Sequence, residues 1–360
     1  MRALLTLGGW LLAAILGYLL FWPVPIDPVA WDAPADLGYV DPYAQNELLE
    51  SARAIDLGDF NGPEDATLGK DGSIYVTTDG GHVLRIDNGG ISEFTSVTGR
   101  PLGIESDSDG SLVIANSYVG LQRIDRTGEV TTLLDEVGGQ PLVYANNLAI
   151  GPDGKIYFSQ SSSKFGAEEY RGTFEASLLD IMEHGGHGHV YEFDPAVGTV
   201  QPLLSGLNYA NGVAVSEDGS FLLVNETASY RVLKHWLTGP RNGETEVLLD
   251  NLPGFPDNLK SGLNGRFWLG FAAPRNQLLD ALSGWPFLRK VVQRLPAFMR
   301  PNAVPASHVI AFNGDGEILM NMHDPAARFP TLTGVLETRR FLYLTTLFGH
   351  QLPVIDKQDL

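Results

Sequence analysis

The chain has 360 residues, 44% hydrophobic and 19% charged, with 41 Gly and 22 Pro scattered along it. This composition excludes intrinsic disorder and indicates a turn-rich, β-rich fold of one large domain or two small ones. A formal charge of −19 disfavours nucleic acid as a partner, and the lack of any cysteine excludes disulfides, thiolate metal sites and cysteine nucleophiles.

Ala3–Trp22 carries no charge over 20 positions, enough for a helix of about 30 Å, the thickness of a bilayer core. Arg2 precedes the run and the next Lys or Arg is Arg53, so the positive-inside rule keeps the N-terminus cytoplasmic and exports the rest. Residues 1–22 read as a single-pass transmembrane signal anchor, with Trp10, Tyr18 and Trp22 as candidate interface residues. The alternative is a cleaved signal peptide, whose apolar region is usually ~7–15 residues and is followed by a small-residue site that this chain lacks. Residues 23–50, rich in Pro and Asp, read as an extended tether rather than core.

From residue 51 onward one phrase recurs: a turn, then an apolar-alternating strand. Copies begin at Asp71 (DGSIYV), Asp109 (DGSLVI), Asp153 (DGKIYF), Asp218 (DGSFLLV) and Asn264 (NGRFWL); a sixth from Arg339 (RRFLYL) keeps the strand without the turn. Six such units, about 40 residues or more apart, predict an all-β six-bladed β-propeller over 51–360. The longer gaps after the third and fifth units must hold insertions.

Seven residues before the first five turns stand Glu64, Leu102, Asn146, Asn211 and Asp257; the same count reaches Leu332 in the sixth copy, and aligning TGV with NGV gives Thr333 instead. Equivalent positions of successive blades ring the central channel. Two carboxylates and two amide carbonyls, with Asn258 beside Asp257, form an oxygen donor set suited to one Ca²⁺. The alternative is that these polar residues only cap strand starts.

The phrases GPEDA (62–66), YANNLAIGPDGKIYFSQSSSKF (144–165), YANGVAVSEDGSFLLVNETASYRV (209–232) and LPGFPDNL (252–259) resemble the strictosidine-synthase-like family, most closely its adipocyte plasma membrane-associated branch. The resemblance covers about residues 40–356. It implies a six-bladed propeller related to paraoxonases and gluconolactonases, with a catalytic Ca²⁺ held by Glu64, Asn146, Asn211, Asp257 and Asn258. Two departures stand out. A paraoxonase-type catalytic His is replaced by Leu102. A second, structural Ca²⁺ at Asp65 and Asn147 lacks the family's second Asp, which weakens or abolishes it. Glu337 matches the position of the glutamate on which plant strictosidine synthases rely.

No G-x-S-x-G elbow or nucleotide-binding glycine motif is present. His184, His187 and His189 in HGGHGH suggest either a zinc site or, more simply, a Gly-rich loop at the channel mouth. His350 and His323 are general-base candidates by residue type. Tyr118, Phe158, Trp268 and Phe348 are expected between blades, and the NET phrase at Asn225 matches a glycosylation acceptor. Residues 275–300 carry five Lys/Arg against Asp280, with Leu288, Val291, Val292 and Leu295 at helical spacing. That pattern predicts a basic amphipathic helix, either touching a membrane or packed on the propeller with its cations solvated.

The reading that unites these features is a Ca²⁺-dependent hydrolase of small hydrophobic esters or lactones, arylesterase- or lactonase-like. Catalytic candidates are Asp257, Glu337 and His350. The rivals are a membrane-tethered binding propeller without turnover and a strictosidine-synthase-like lyase.

Overall fold

A computed structural model describes residues 2–360, and the side chains of residues 6–360. Six four-stranded antiparallel sheets follow one another around a channel. Their innermost strands are Asp65–Leu68, Pro101–Ser106, Ala145–Ile150, Ala210–Val215, Gly254–Ser261 and Leu332–Glu337. The repeated turns join the first strand of a blade to the second, and Gly72 and Gly110 take φ of 82° and 85° there, a region that favours glycine. The sixth copy supplies only three strands. Its outer strand is Arg53–Asp56 from the start of the domain, paired antiparallel with Gln351–Asp356, so the two ends of the propeller close the ring together.

Alternation along each strand sends apolar side chains to both faces, where neighbouring blades stack. Val113 and Ala115 of blade 2 meet Leu148 and Phe158 of blade 3; Tyr157 and Val190 of blade 3 meet Val213 and Val224 of blade 4. Phe158 and Trp268 are fully buried, each side chain contributing roughly 2–3 kcal/mol. Phe348, expected in the same place, is half-exposed and meets Phe174 edge-on.

Antiparallel order sets which features share a face. The first strand of each blade leaves the channel mouth and the second returns to it, so the link to the third strand emerges at the mouth. Both insertions are such links. Helix α1 spans Arg2–Phe21; α2 (Thr173–Glu183) lies inside blade 3; α3 (Gln277–Ala281) and α4 (Pro286–Arg294) lie inside blade 5. The Asn276 carboxamide oxygen accepts from the N–H groups of Leu278 and Leu279 to cap α3, and Pro286 opens α4.

Two expectations change. Residues 23–50 are extended but packed: Ile26 is buried beside Leu102 and Tyr144, Val29 N donates to the Glu183 carbonyl, and Trp31 stacks on His184 at 4.0 Å. The segment is a strap across the mouth, because its apolar Ile and Trp residues find the uncovered flanks of the insertions. The insertion's arginines are not solvated either. Arg289 is fully buried, its guanidinium donating to the carbonyls of Met182, Val29 and Ser283; Arg294 donates to Leu19 and Trp22, and Arg275 pairs with Asp280 at 3.0 Å. Orphan carbonyls at the α2 terminus and along the strap outcompete water for these forked donors. The predicted span at Ala3–Trp22 is helical as far as Phe21, while among the described residues no helix is long and apolar enough to cross a membrane.

Candidate functional site

Glu64, Asn146, Asn211 and Asp257, from four different blades, converge on the floor of one cavity of about 570 Å³ at the channel mouth. Local backbone irregularities put the last three there. Pairing registers shift between Ala145 and Leu148, Ala210 and Val213, and Pro256 and Leu259. Each shift is a bulge that interrupts the in-out alternation, so consecutive polar residues turn toward the channel together. The blades also approach closely here: a Cβ on Gly212 would strike the backbone of Asp257, Asn258 and Leu259. The phrases NN, NG and DN at Asn146, Asn211 and Asp257 are the sequence signal for this bulge.

Three acceptor oxygens at the floor, Glu64 Oε2, Asn146 Oδ1 and Asn211 Oδ1, are buried without a hydrogen-bond partner. Their other ends are spent: Asn146 Nδ2 donates to Ser161 Oγ (2.8 Å) and Asn211 Nδ2 to Asp257 Oδ1 (2.7 Å), which fixes both amide orientations. Behind the floor Asn258 is fully buried; its Nδ2 donates to the Glu64 carbonyl and carboxylate (3.0 and 3.3 Å), and its Oδ1 accepts from Asn147 Nδ2 (3.1 Å). Asn147 Oδ1 in turn accepts from Val213 N. Asn258 therefore orients Glu64 and does not turn its oxygen to the floor, a correction to its place in the ligand set. Asn225 Nδ2 donates to the Asp257 carbonyl; it is wholly buried, so the NET phrase is no glycan acceptor in the folded chain.

Burial and the charge of Asp257 push the Glu64 carboxyl well above the carboxylate range, and burial raises Asp257 to about 7. A floor of unpartnered oxygens and destabilised carboxylates is deficient in positive charge. The donor set, two carboxylates and two amide carbonyls, fits a hard cation. Among the described residues no group of three His, Asp or Glu is arranged for a metal ion, so the fit rests on the amides as much as on the acids.

The second site is different. Lys260, 4% exposed, places its ammonium 3.0 Å from Asp65 Oδ2, 2.8 Å from Glu105 Oε1 and 2.6 Å from the Ile104 carbonyl. Burial disfavours its charge, but Asp65 and Glu105 outweigh that and hold its pKa above the ordinary lysine value. This position already has a cation of its own.

The remaining candidates lie elsewhere. Glu337 closes the inner strand of blade 6 at the turn end, about five residues and roughly 17 Å along the strand from the ring. Its carboxylate accepts from Lys357, Trp268 Nε1 and Leu263 N. Burial would raise its pKa, yet these partners bring it below the ordinary value. It is a structural anion, not a floor residue. His350 is exposed beside Phe60 and does not line the cavity. His323 stacks on His308 at 3.8 Å under the strap. His184, His187 and His189 diverge: the first packs on Trp31, the second bonds Glu183, the third stacks on Tyr191. At the sixth ring position Leu332 is core, whereas Thr333 Oγ1 donates to the Glu64 carbonyl.

The walls rise from the insertions. Leu178, Leu179, Ile181 and Met182 of α2 face Phe255, Leu279 and the 297–304 segment, with Leu102 at the floor. Sequence reading also passed over Tyr144 and Tyr209, both lining the cavity, whose hydroxyls lie 2.5 Å apart; Tyr144 donates onward to the Thr173 carbonyl at the start of α2. Burial keeps both phenols protonated.

Comparison with known proteins agrees with this architecture. The strictosidine synthase family model matches residues 146–240, and the strictosidine synthase-like N-terminal model matches residues 41–86. The chain is 33% identical over 357 residues to the adipocyte plasma membrane-associated protein of Bos taurus, covering 91% of this chain and 83% of that one. Among solved structures, a gluconolactonase from Xanthomonas campestris aligns with a TM-score of 0.62 at 19% identity, over 85% of this chain and 89% of the other. A calcium-binding protein, regucalcin, from Agrobacterium tumefaciens aligns with a TM-score of 0.56 at 15% identity, over 85% and 95%.

Proposed function

Because the chain belongs to the adipocyte plasma membrane-associated protein family of strictosidine-synthase-like propellers, we propose that it is a membrane-anchored, Ca²⁺-dependent hydrolase of hydrophobic esters or lactones. The observation that carries the reading is the set of three buried, partnerless oxygens from three blades at the floor of an apolar cavity. Gluconolactonase and the calcium-binding regucalcin share the propeller. Their likeness supports the fold and lends the substrate class and the ion as hypotheses.

Glu64, Asn146, Asn211 and Asp257 would hold the ion. When bound, calcium supplies a positive charge that polarises a substrate carbonyl and favours the charge that develops on its oxygen. The chain does the rest. Asn147 and Asn258 hold the Glu64 carboxylate in one orientation, and Asn211 holds Asp257 through Oδ1, leaving Oδ2 to take the proton of an attacking water. Leu102 and the α2 leucines keep bulk water from the floor. Tyr209 donates to Tyr144, which donates onward to the Thr173 carbonyl, so the pair spends both protons on bracing α2 beside the floor.

The anchor is α1, with its N-terminus cytoplasmic and the propeller on the exported side; the run of uncharged residues and the membrane association in the relative's name support it. Leu102, an inert side chain at the floor, favours one rival, a binding propeller without turnover. The lyase reading loses its glutamate, since Glu337 is spent on Lys357 and Trp268.

The test is elemental analysis of the full chain purified in detergent without chelator, with phenyl esters and lactones assayed before and after EDTA. Stoichiometric calcium with turnover that EDTA removes and Ca²⁺ restores supports the hydrolase. Calcium without turnover selects the binding propeller, and absence of calcium sinks the ring as a metal site.

A further inference from the structure

One surface of the molecule has no part in the chemistry above. The Tyr18 hydroxyl donates to the Arg294 carbonyl (3.0 Å), and the Arg294 guanidinium donates back to the carbonyls of Leu19 (3.0 Å) and Trp22 (2.5 Å). The last turn of the apolar helix α1 is thereby bolted to α4. With Arg275, Arg289 and Arg294 turned inward, the insertion shows solvent its apolar side chains: Trp285 is 63% exposed, Phe287 52%, Phe298 81% and Met299 54%. Single exposed apolar residues are ordinary, whereas a run of large ones on one segment marks a contact. Ala297 and Val304, which bracket Phe298 and Met299, line the cavity mouth.

We infer that this apolar rim is seated in the surface of the bilayer that holds α1, so that the cavity mouth opens onto lipid and an amphiphilic ester enters from the membrane. The occupant follows from continuity, because the rim adjoins the end of a helix whose Ala3–Trp22 run is uncharged and is hydrogen-bonded to it. Charge excludes the usual alternative of headgroup attraction. Lys290 is paired with Asp27 at 2.6 Å, Arg300 donates to the Leu295 carbonyl, and the whole chain carries −19. Seating of this kind is hydrophobic, so it needs no anionic lipid and resists salt. It also explains the lining of the cavity: an ester carbonyl reaches the polar floor while its chain trails along Leu178 and Met182 toward the rim. The inference rests on α1 being an anchor, and the experiment separates the two.

The chain has no cysteine, so single-cysteine variants of the full chain carry one environment-sensitive dye each without background. Leu11→Cys reports on α1, Phe298→Cys on the rim, and Val197→Cys, exposed at the turn end of blade 3, serves as the control. The proteins are placed in nanodiscs of phosphatidylcholine bearing bromine at shallow or deep chain positions. The expected result is deep quenching at 11, blue-shifted emission with shallow quenching at 298, and neither at 197, unchanged in about 0.5 M NaCl. Quenching at 11 but not at 298 overturns the rim and leaves the anchor standing; no quenching at 11 removes both. Protection at 298 that needs anionic lipid overturns the hydrophobic seating. Protection only in discs that hold two chains makes the occupant a second copy, and overturns it as well.

Discussion

Lys260 and Asp65 form a fully enclosed ion pair, Nζ to Oδ2 3.0 Å, in the middle of the propeller channel. The fold thus carries an internal cation where blades 1, 2 and 5 meet, directly behind the candidate metal floor. Burial raises Asp65 to about 6, and its neighbour keeps it ionised at neutral pH.

From this pair we expect chelation to leave the fold intact. EDTA should lower the unfolding midpoint only by the linkage lost with floor-bound calcium, and the far-UV spectrum should not change. Lys260→Met, by contrast, strands two carboxylates and should cost about 3–5 kcal/mol in denaturant titrations. If EDTA unfolds the wild-type chain, the channel depends on a metal after all.

Asp257→Asn should move two readouts in opposite directions. Without metal it removes one of two buried, mutually repelling carboxylates, so the apo protein should gain stability, on the order of 1–2 kcal/mol. The thermal shift produced by calcium, and any ester turnover, should disappear. A variant that binds calcium as the wild type does removes Asp257 from the ligand set.

Glu337→Gln separates structure from chemistry. Losing the anion that holds Lys357 and Trp268 should cost about 2 kcal/mol, with bound calcium and kcat unchanged. Loss of turnover in a variant that remains folded would bring Glu337 back into the chemistry.

The strap should loosen in acid. Burial and the neighbouring imidazole hold His308 well below 6.5, and burial lowers His323 to about 4; Tyr39 covers both rings edge-on and Asn321 Oδ1 bonds both. A depressed imidazole contributes stability that is fully present above the unfolded pKa of 6.5 and is lost as pH falls toward 4, because only the unfolded chain takes up the proton. Melting at pH 7.5 and pH 5 should show the fall, and His323→Gln should flatten it.

Much of the molecule is legible without coordinates, because its information is local and periodic. A turn followed by period-2 apolar alternation makes a strand pair wherever it occurs, six copies close a ring, and rotation about one axis brings equivalent positions such as Glu64 and Asp257 together. What the repeat could not convey was direction. Bulges at Asn146–Asn147 and Asp257–Asn258 turn neighbouring side chains to the same side, and only cross-blade bonds then assign one to the floor and the other to its support. Glu337 shares a strand with the ring position yet lies at its far end, since a strand advances about 3.3 Å per residue. Helical spacing offers Arg289 and Arg294 as membrane-facing or solvated cations, whereas the fold turns both inward onto backbone carbonyls. Their acceptors, the carbonyls of Met182 and Leu19, lie more than a hundred residues away in sequence. Spacing along one segment decides secondary structure and register, while the partner of a long polar side chain is decided by whichever unsatisfied group folding brings within its reach.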